Sequence, residues 1–214
     1  MVSKVKKNIL SLKESSTLAI NERSKKLIKE GKKIYRFGFG QSPFQIPLKI
    51  VDTLKKNAHK KEYLPIQGLP ELREEISKYL FSKTGVKYSK DNILITPGSK
   101  EAMLLIHVAF NGDIITPAPS WVSYEPQAEI GLNKVHWLET SMENNWFPTA
   151  EELEKKLRKI GKKRNLILIL NSPNNPSGAI CRNLKDLARV AKKYKLSILS
   201  DEIYTDLSFD NSYK

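Results

Sequence analysis

The chain has 214 residues, 40% hydrophobic and 28% charged, which is enough apolar mass for a real core and not the polar excess of a disordered polymer. No apolar run approaches the ~20 residues of a membrane span, and no long apolar stretch follows Met1 to suggest a secretory signal. A single cysteine, Cys181, excludes an intramolecular disulfide framework, and with only three scattered histidines no metal site is expected.

Length alone suggests one large domain, or one domain with an appendage, and the expected compartment is cytoplasmic. The formal charge of +14 is unevenly distributed. Residues 1–61 hold 16 Lys and Arg against 4 Asp and Glu, whereas residues 62–214 hold 21 against 19. The basicity is an N-terminal property. It is carried by 30 lysines and only 7 arginines, while planar phosphate and base recognition favours arginine. The composition points to a solvated lysine-rich surface, and nucleic acid is not an expected partner.

Residues 8–31 read as a helix with modest amphipathicity, closed by Gly31. The stretch from Phe37 to Phe44, rich in glycine and proline, reads as irregular backbone. Beyond Pro70, residues Leu72, Ile76, Tyr79 and Leu80 recur at helical spacing and predict one buried face. From residue 91 the pattern becomes regular. Short apolar runs at Ile93–Ile95, Asp113–Thr116, Val135–Leu138, Leu166–Leu170 and Ser197–Leu199 read as strands. Helical faces lie between them, at Ala102, Leu105, Ile106 and Ala109, and at Leu184, Leu187, Ala188 and Ala191. Thr149 and Glu152 stand at capping-box spacing before a helix with Glu151–Lys155 and Glu154–Arg158 as i,i+4 pairs. Strand alternating with helix predicts an α/β fold, a mostly parallel sheet with helices on both faces.

In such sheets ligands collect beyond the carboxyl ends of the strands. Four loops follow those ends. Pro97-Gly98-Ser99-Lys100 opens a helix and offers backbone N–H groups to an anion, most plausibly a phosphate, although alone it is also an ordinary turn. Pro119-Ser120-Trp121-Val122-Ser123-Tyr124 puts aromatics where they could stack on a flat ring or simply pack a core. Asn171-Ser172-Pro173-Asn174-Asn175-Pro176-Ser177-Gly178 is a polar, non-helical loop whose amides can donate to an oxyanion, or cap turns. Asp201-Glu202-Ile203-Tyr204 places a carboxylate, which needs a cationic partner if buried, one short turn from a phenol. A flat ring bearing a phosphate, a protonatable nitrogen and a phenolic oxygen would satisfy all four. Pyridoxal 5'-phosphate (PLP) is such a ligand.

With these motifs in order, from about residue 34 onward, the chain resembles the class I/II aminotransferases, fold-type I PLP enzymes, and within them the aspartate-aminotransferase-like branch. Gly40 with Phe44 and Pro47, and Tyr63 with Gly68, Leu72 and Arg73, add to the match. The resemblance implies that residues 1–45 form an N-terminal arm and small-domain segment. Residues 46–214 would form the N-terminal part of the large PLP-binding domain, truncated before its last strands and the C-terminal small domain. It implies a phosphate cup at Gly98, Ser99 and Lys100, and Trp121 stacked on the pyridine ring. Asp201 would pair with the ring nitrogen, and Asn175 and Tyr204 would bond the phenolic oxygen. Gly40, Trp121 and Asn175 would meet the substrate. Tyr63 would reach the cofactor phosphate of a neighbouring subunit, which implies a homodimer with shared active sites.

Ser42-Pro43 departs from the family's usual spacing after Gly40, so substrate preference does not transfer from that loop. The Schiff-base lysine is expected beyond Lys214, so this span by itself is expected to be inactive. For the intact protein the expected reaction is transfer of an amino group from an amino acid to a 2-oxo acid. A PLP-dependent lyase or synthase of the same fold, or a non-catalytic fragment that binds only PLP or a partner subunit, stays open at this point.

Overall fold

A computed structural model of the chain describes residues 4–13, 16–37, 40, 42, 44–161 and 164–207. The chain divides into two compact units, one of Met1–Ser16 with Ala102–Lys214, the other of Thr17–Glu101.

The first unit is built on four parallel strands: β1 (Asp113–Ala118), β2 (Val135–Glu139), β3 (Leu166–Asn171) and β4 (Ser197–Asp201), in the order β2-β1-β3-β4. The four apolar runs from Asp113 onward are therefore strands, each slightly longer than the sequence predicts. Successive side chains of a strand point to opposite faces, and both faces here are apolar. Ile115, Leu168 and Leu170 face one side and are buried with Leu153 and Leu157 of α7 (Ala150–Ile160) and Leu187, Val190 and Ala191 of α8 (Leu184–Tyr194). Ile114, Ile167 and Ile169 face the other and pack with Met103 of α5 (Ser99–Ala109) and with Tyr124 and Ala128 of α6 (Tyr124–Ile130). Each such aliphatic side chain stabilises the fold by roughly 1.5–3 kcal/mol.

Local signals set the helix ends. Thr149 accepts from the Glu152 amide at 3.1 Å while the Glu152 carboxylate accepts from the Thr149 amide at 2.8 Å, so the predicted capping box forms. Glu154 pairs with Arg158 at 3.0 Å, and the same oxygen accepts from Lys193 and Tyr194 on α8. Near the chain start, the helix predicted over 8–31 is two helices, α1 (Lys7–Leu10) and α2 (Ser16–Lys29). α1 is tied down by Asn8, whose side chain donates to the Glu129 carbonyl at 2.8 Å.

Two predicted faces are shifted by a residue or so. On α5 the buried side chains are Met103 and His107, whereas Leu105 is exposed; on α8 they are Leu187, Val190 and Ala191, whereas Leu184 is exposed. The sheet lies under one stripe of each helix, and apolar periodicity locates that stripe only to within a residue.

The second unit is built differently. Besides α2 it holds α3 (Leu48–Asn57), which buries no side chain, and α4 (Pro70–Thr84), which buries Arg73 alone. Arg73 donates to the Lys90 carbonyl at 3.0 Å and lies 3.7 Å from the Asp91 carboxylate. Leu72 and Tyr79, expected on a buried face, are exposed. The reason is that, among the described residues of this unit, no sheet or helix layer covers that face of α4. Ile93–Ile95, expected as a strand, is not one. A strand exists only against a ladder partner, and here the run bonds instead to two turns, from the Ile93 amide to the Lys90 carbonyl at 3.2 Å and from the Ile95 amide to the Gln67 carbonyl at 3.0 Å. Gly68, beside it, is required twice over: its φ is +95°, and a Cβ there would sit 2.6 Å from Ile95.

Candidate functional site

Parallel strands end together, so the loops leaving β1, β3 and β4 converge beyond one edge of the sheet. β4 ends at Asp201, whose register partner on β3 is Asn171. Asn171 is buried, and its side-chain amide donates to the Asp201 carbonyl at 2.9 Å while its oxygen accepts from the Asn175 amide at 2.7 Å. One side chain thus joins the end of β4 to the asparagine-rich loop. Asn174 stiffens the same loop, accepting from the Ser177 amide and hydroxyl at 3.2 and 2.9 Å. The Asn175 side chain then donates to the Tyr204 phenol oxygen at 3.1 Å.

The Asp201 carboxylate is held from two sides. Its Oδ2 accepts from the Tyr124 hydroxyl at 2.7 Å and its Oδ1 from the Ile203 amide at 3.3 Å. Tyr124 is buried at the start of α6, and its ring meets Trp121 edge-on, with centroids 5.4 Å apart and planes at 81°. Burial, together with the neighbouring carboxylate, pushes the Tyr124 phenol well above its ordinary range, so it remains a donor. Trp121, Asn175, Asp201 and Tyr204 are each half-buried.

The structure therefore brings Trp121, Asn175, Asp201 and Tyr204 together on one connected network in the first unit. The other anticipated residues belong to the second. Gly98 has a φ of +90°, which favours glycine, and a Cβ there would meet nothing within 4 Å. Its carbonyl accepts from the Thr96 hydroxyl at 2.9 Å. Ser99 and Lys100 open α5 with exposed side chains, where the first-turn amides have no partner within the helix. Tyr63 is fully exposed and Gly40 lies in irregular backbone. Pro43 lies outside the described residues. Two network members, Tyr124 and Asn171, stand out in the sequence only as parts of motifs. Trp-x-x-Tyr leading into a helix was the available signal for Tyr124.

A carboxylate oriented by two donors, an indole, and an amide–phenol pair are what a phosphorylated pyridine ring needs for its nitrogen, its face and its phenolic oxygen. The residues present fit PLP. Among the described residues no group of three His, Cys, Asp or Glu side chains could hold a metal ion.

Comparison with known proteins decides the family. The model of the family described as aminotransferase class I and II matches residues 25–214. The chain belongs to that family. Its aminotransferase relatives include an aspartate aminotransferase of Thermotoga maritima, 32% identical over 98% of this chain and 56% of that protein. An asparagine–oxo-acid transaminase of Streptococcus mutans is 30% identical over 99% of this chain and 55% of its own length. The solved aspartate aminotransferase of Rhizobium meliloti superposes with a TM-score of 0.91 at 26% identity, covering 99% of this chain and 54% of that one. The chain spans about half the length of the aminotransferases it matches. PLP is the cofactor of this family, and the parallel sheet with helices on both faces is its fold.

Proposed function

We propose that the intact protein transfers an amino group between an amino acid and a 2-oxo acid. The observation that carries this reading is the network that joins Trp121, Asp201, Asn175 and Tyr204 beyond the strand ends. PLP, when bound, supplies the electron sink that such chemistry requires.

The chain's own residues bind and orient. Asp201 holds the proton of the ring nitrogen, Trp121 covers the ring face, and Asn175 and Tyr204 donate to the phenolic oxygen. Gly98, Ser99 and Lys100 receive the phosphate with backbone and hydroxyl donors. Gly40, Trp121 and Asn175 meet the substrate, Gly40 and Asn175 at its carboxylate. Tyr63, fully exposed here, reaches the phosphate held by a second copy in a homodimer. In this reading residues 1–45 are an N-terminal arm and small-domain segment and 46–214 are the N-terminal part of the cofactor domain, in a cytoplasmic enzyme. The lysine that anchors the cofactor lies beyond Lys214, so residues 1–214 alone bind it reversibly and turn nothing over.

The test is PLP binding followed by amino-acid and 2-oxo-acid exchange. Stoichiometric exchange by the intact protein, lost in Asp201→Ala, supports the proposal. Release of ammonia or of a leaving group instead would assign a lyase. Borohydride reduction of residues 1–214 with PLP should label exposed lysines at scattered positions; one unique labelled lysine with turnover would overturn the placement of the anchor.

A further inference from the structure

Tyr124 touches two of the groups assigned to the cofactor ring, Asp201 and Trp121. It resides in the apolar layer with Ile114, Ile167 and Ile169, and it is 1% exposed. A buried phenol needs a partner for its hydroxyl. Here the partner is the Asp201 carboxylate, 77 residues away in sequence and 2.7 Å away in space. The two donors to that carboxylate come from different elements, Tyr124 from α6 and Ile203 from the turn after β4. With both oxygens engaged, rotation of the carboxylate about its side-chain bonds is restricted. Trp121 meanwhile rests edge-on against the same tyrosine ring.

We propose that Tyr124 is a positioning residue: it sets the orientation and charge of the Asp201 carboxylate and the tilt of the Trp121 indole, and through them the seat of the pyridine ring. This rests on the PLP reading above. The hydroxyl and the ring have separable duties. The hydroxyl holds the carboxylate in line for the ring nitrogen, so its loss loosens that contact and alters the field at the ring-nitrogen proton. The ring supports the indole.

The experiment compares wild type, Tyr124→Phe, Asp201→Asn and their double variant for PLP affinity by tryptophan quenching, for the pH midpoint of the bound cofactor's visible band, and for Tm. Tyr124→Phe keeps the ring and is expected to fold, to bind PLP about tenfold more weakly, which is what loss of one charge-assisted hydrogen bond amounts to, and to shift the spectral midpoint. In the Asp201→Asn background the same change should add nothing. A second variant carries 3-fluorotyrosine at 124, a stronger donor of the same shape, and its spectral midpoint should move opposite to that of Tyr124→Phe. A lowered Tm with unchanged affinity and midpoint, or midpoints that move the same way in both variants, would show a purely structural tyrosine and overturn the proposal. Wild-type protein that binds no PLP would overturn the functional reading itself, so the two failures are distinct.

Discussion

The side-chain amide of Asn175 donates to the phenol oxygen of Tyr204 at 3.1 Å, and the backbone amide of Asn175 is itself fixed by Asn171 at 2.7 Å. A functional contact between two loops thus depends on a buried side chain that touches neither ring nor substrate in the proposed site. Asn171→Ala removes both ends of that brace and leaves the Asn175 amide without its partner. A loss of about 2–3 kcal/mol is expected in urea unfolding, with weaker PLP binding. Tyr204→Phe, by contrast, should change stability by less than about 1 kcal/mol while still weakening the cofactor.

The capping box at Thr149 offers a local test. Thr149→Ala should cost about 1 kcal/mol, visible as a lower Tm without any change in PLP affinity, because α7 packs on the sheet by Leu153 and Leu157 and contributes nothing to the network.

His107 is fully buried in α5, and its Nδ1 stands 2.8 Å from the Met103 carbonyl oxygen. A carbonyl only accepts, so Nδ1 carries the proton, and Nε2 is left buried without a hydrogen-bond partner. Burial holds the imidazole below its ordinary value of 6.5. The unfolded chain therefore takes up a proton that the folded chain refuses. Stability is fully present above pH 6.5 and falls below it, by up to about 1.4 kcal/mol per pH unit from this group. Urea titrations between pH 7.5 and 5 should show that slope, and His107→Leu should flatten it.

Asp113 gives a second, more acidic limb. Burial works to raise its pKa, but hydrogen bonds from His136 at 2.9 Å and from Arg164, with their charges, outweigh it and the net shift is downward. A depressed carboxylate stabilises the fold above its ordinary value of 3.8 and loses that contribution as pH falls through its lower folded value. Asp113→Asn should destabilise the protein at pH 7 and remove the extra acid sensitivity below about pH 4, as followed by far-UV circular dichroism.

Where strand and helix make their partners locally, the sequence was readable. Leu166–Leu170 needed nothing but its own apolar run to declare a doubly covered strand, and Thr149 with Glu152 declared a helix start. Trp121, Asn175, Asp201 and Tyr204 were readable because each follows a strand, and the strand-end rule converts that position into a site. What escaped depends on distant partners. Ile93–Ile95 has strand composition but no ladder within its unit. Leu72 and Tyr79 have the spacing of a buried face with no layer to bury it. Tyr124 stands out only as the end of its motif, because nothing near it in sequence announces a carboxylate at position 201.

The two apolar faces of the sheet carry a problem of alignment. In a sheet with one wet side, a slip of one residue throws aliphatic side chains into water, and the error corrects itself. Here Ile114 and Ile115, or Leu168 and Ile169, could trade sides and still land in oil. Hydrophobicity cannot count residues along β1 and β3. The polar ends can: Asp113 must meet His136 and Arg164 at one margin, and Asn171 must meet Asp201 at the other. The strands are threaded like a bolt between two stops, and one of those stops is the wall of the proposed cofactor site. A substitution there disturbs more than a ligand contact; it loosens the ruler by which β3 and β4 find their alignment.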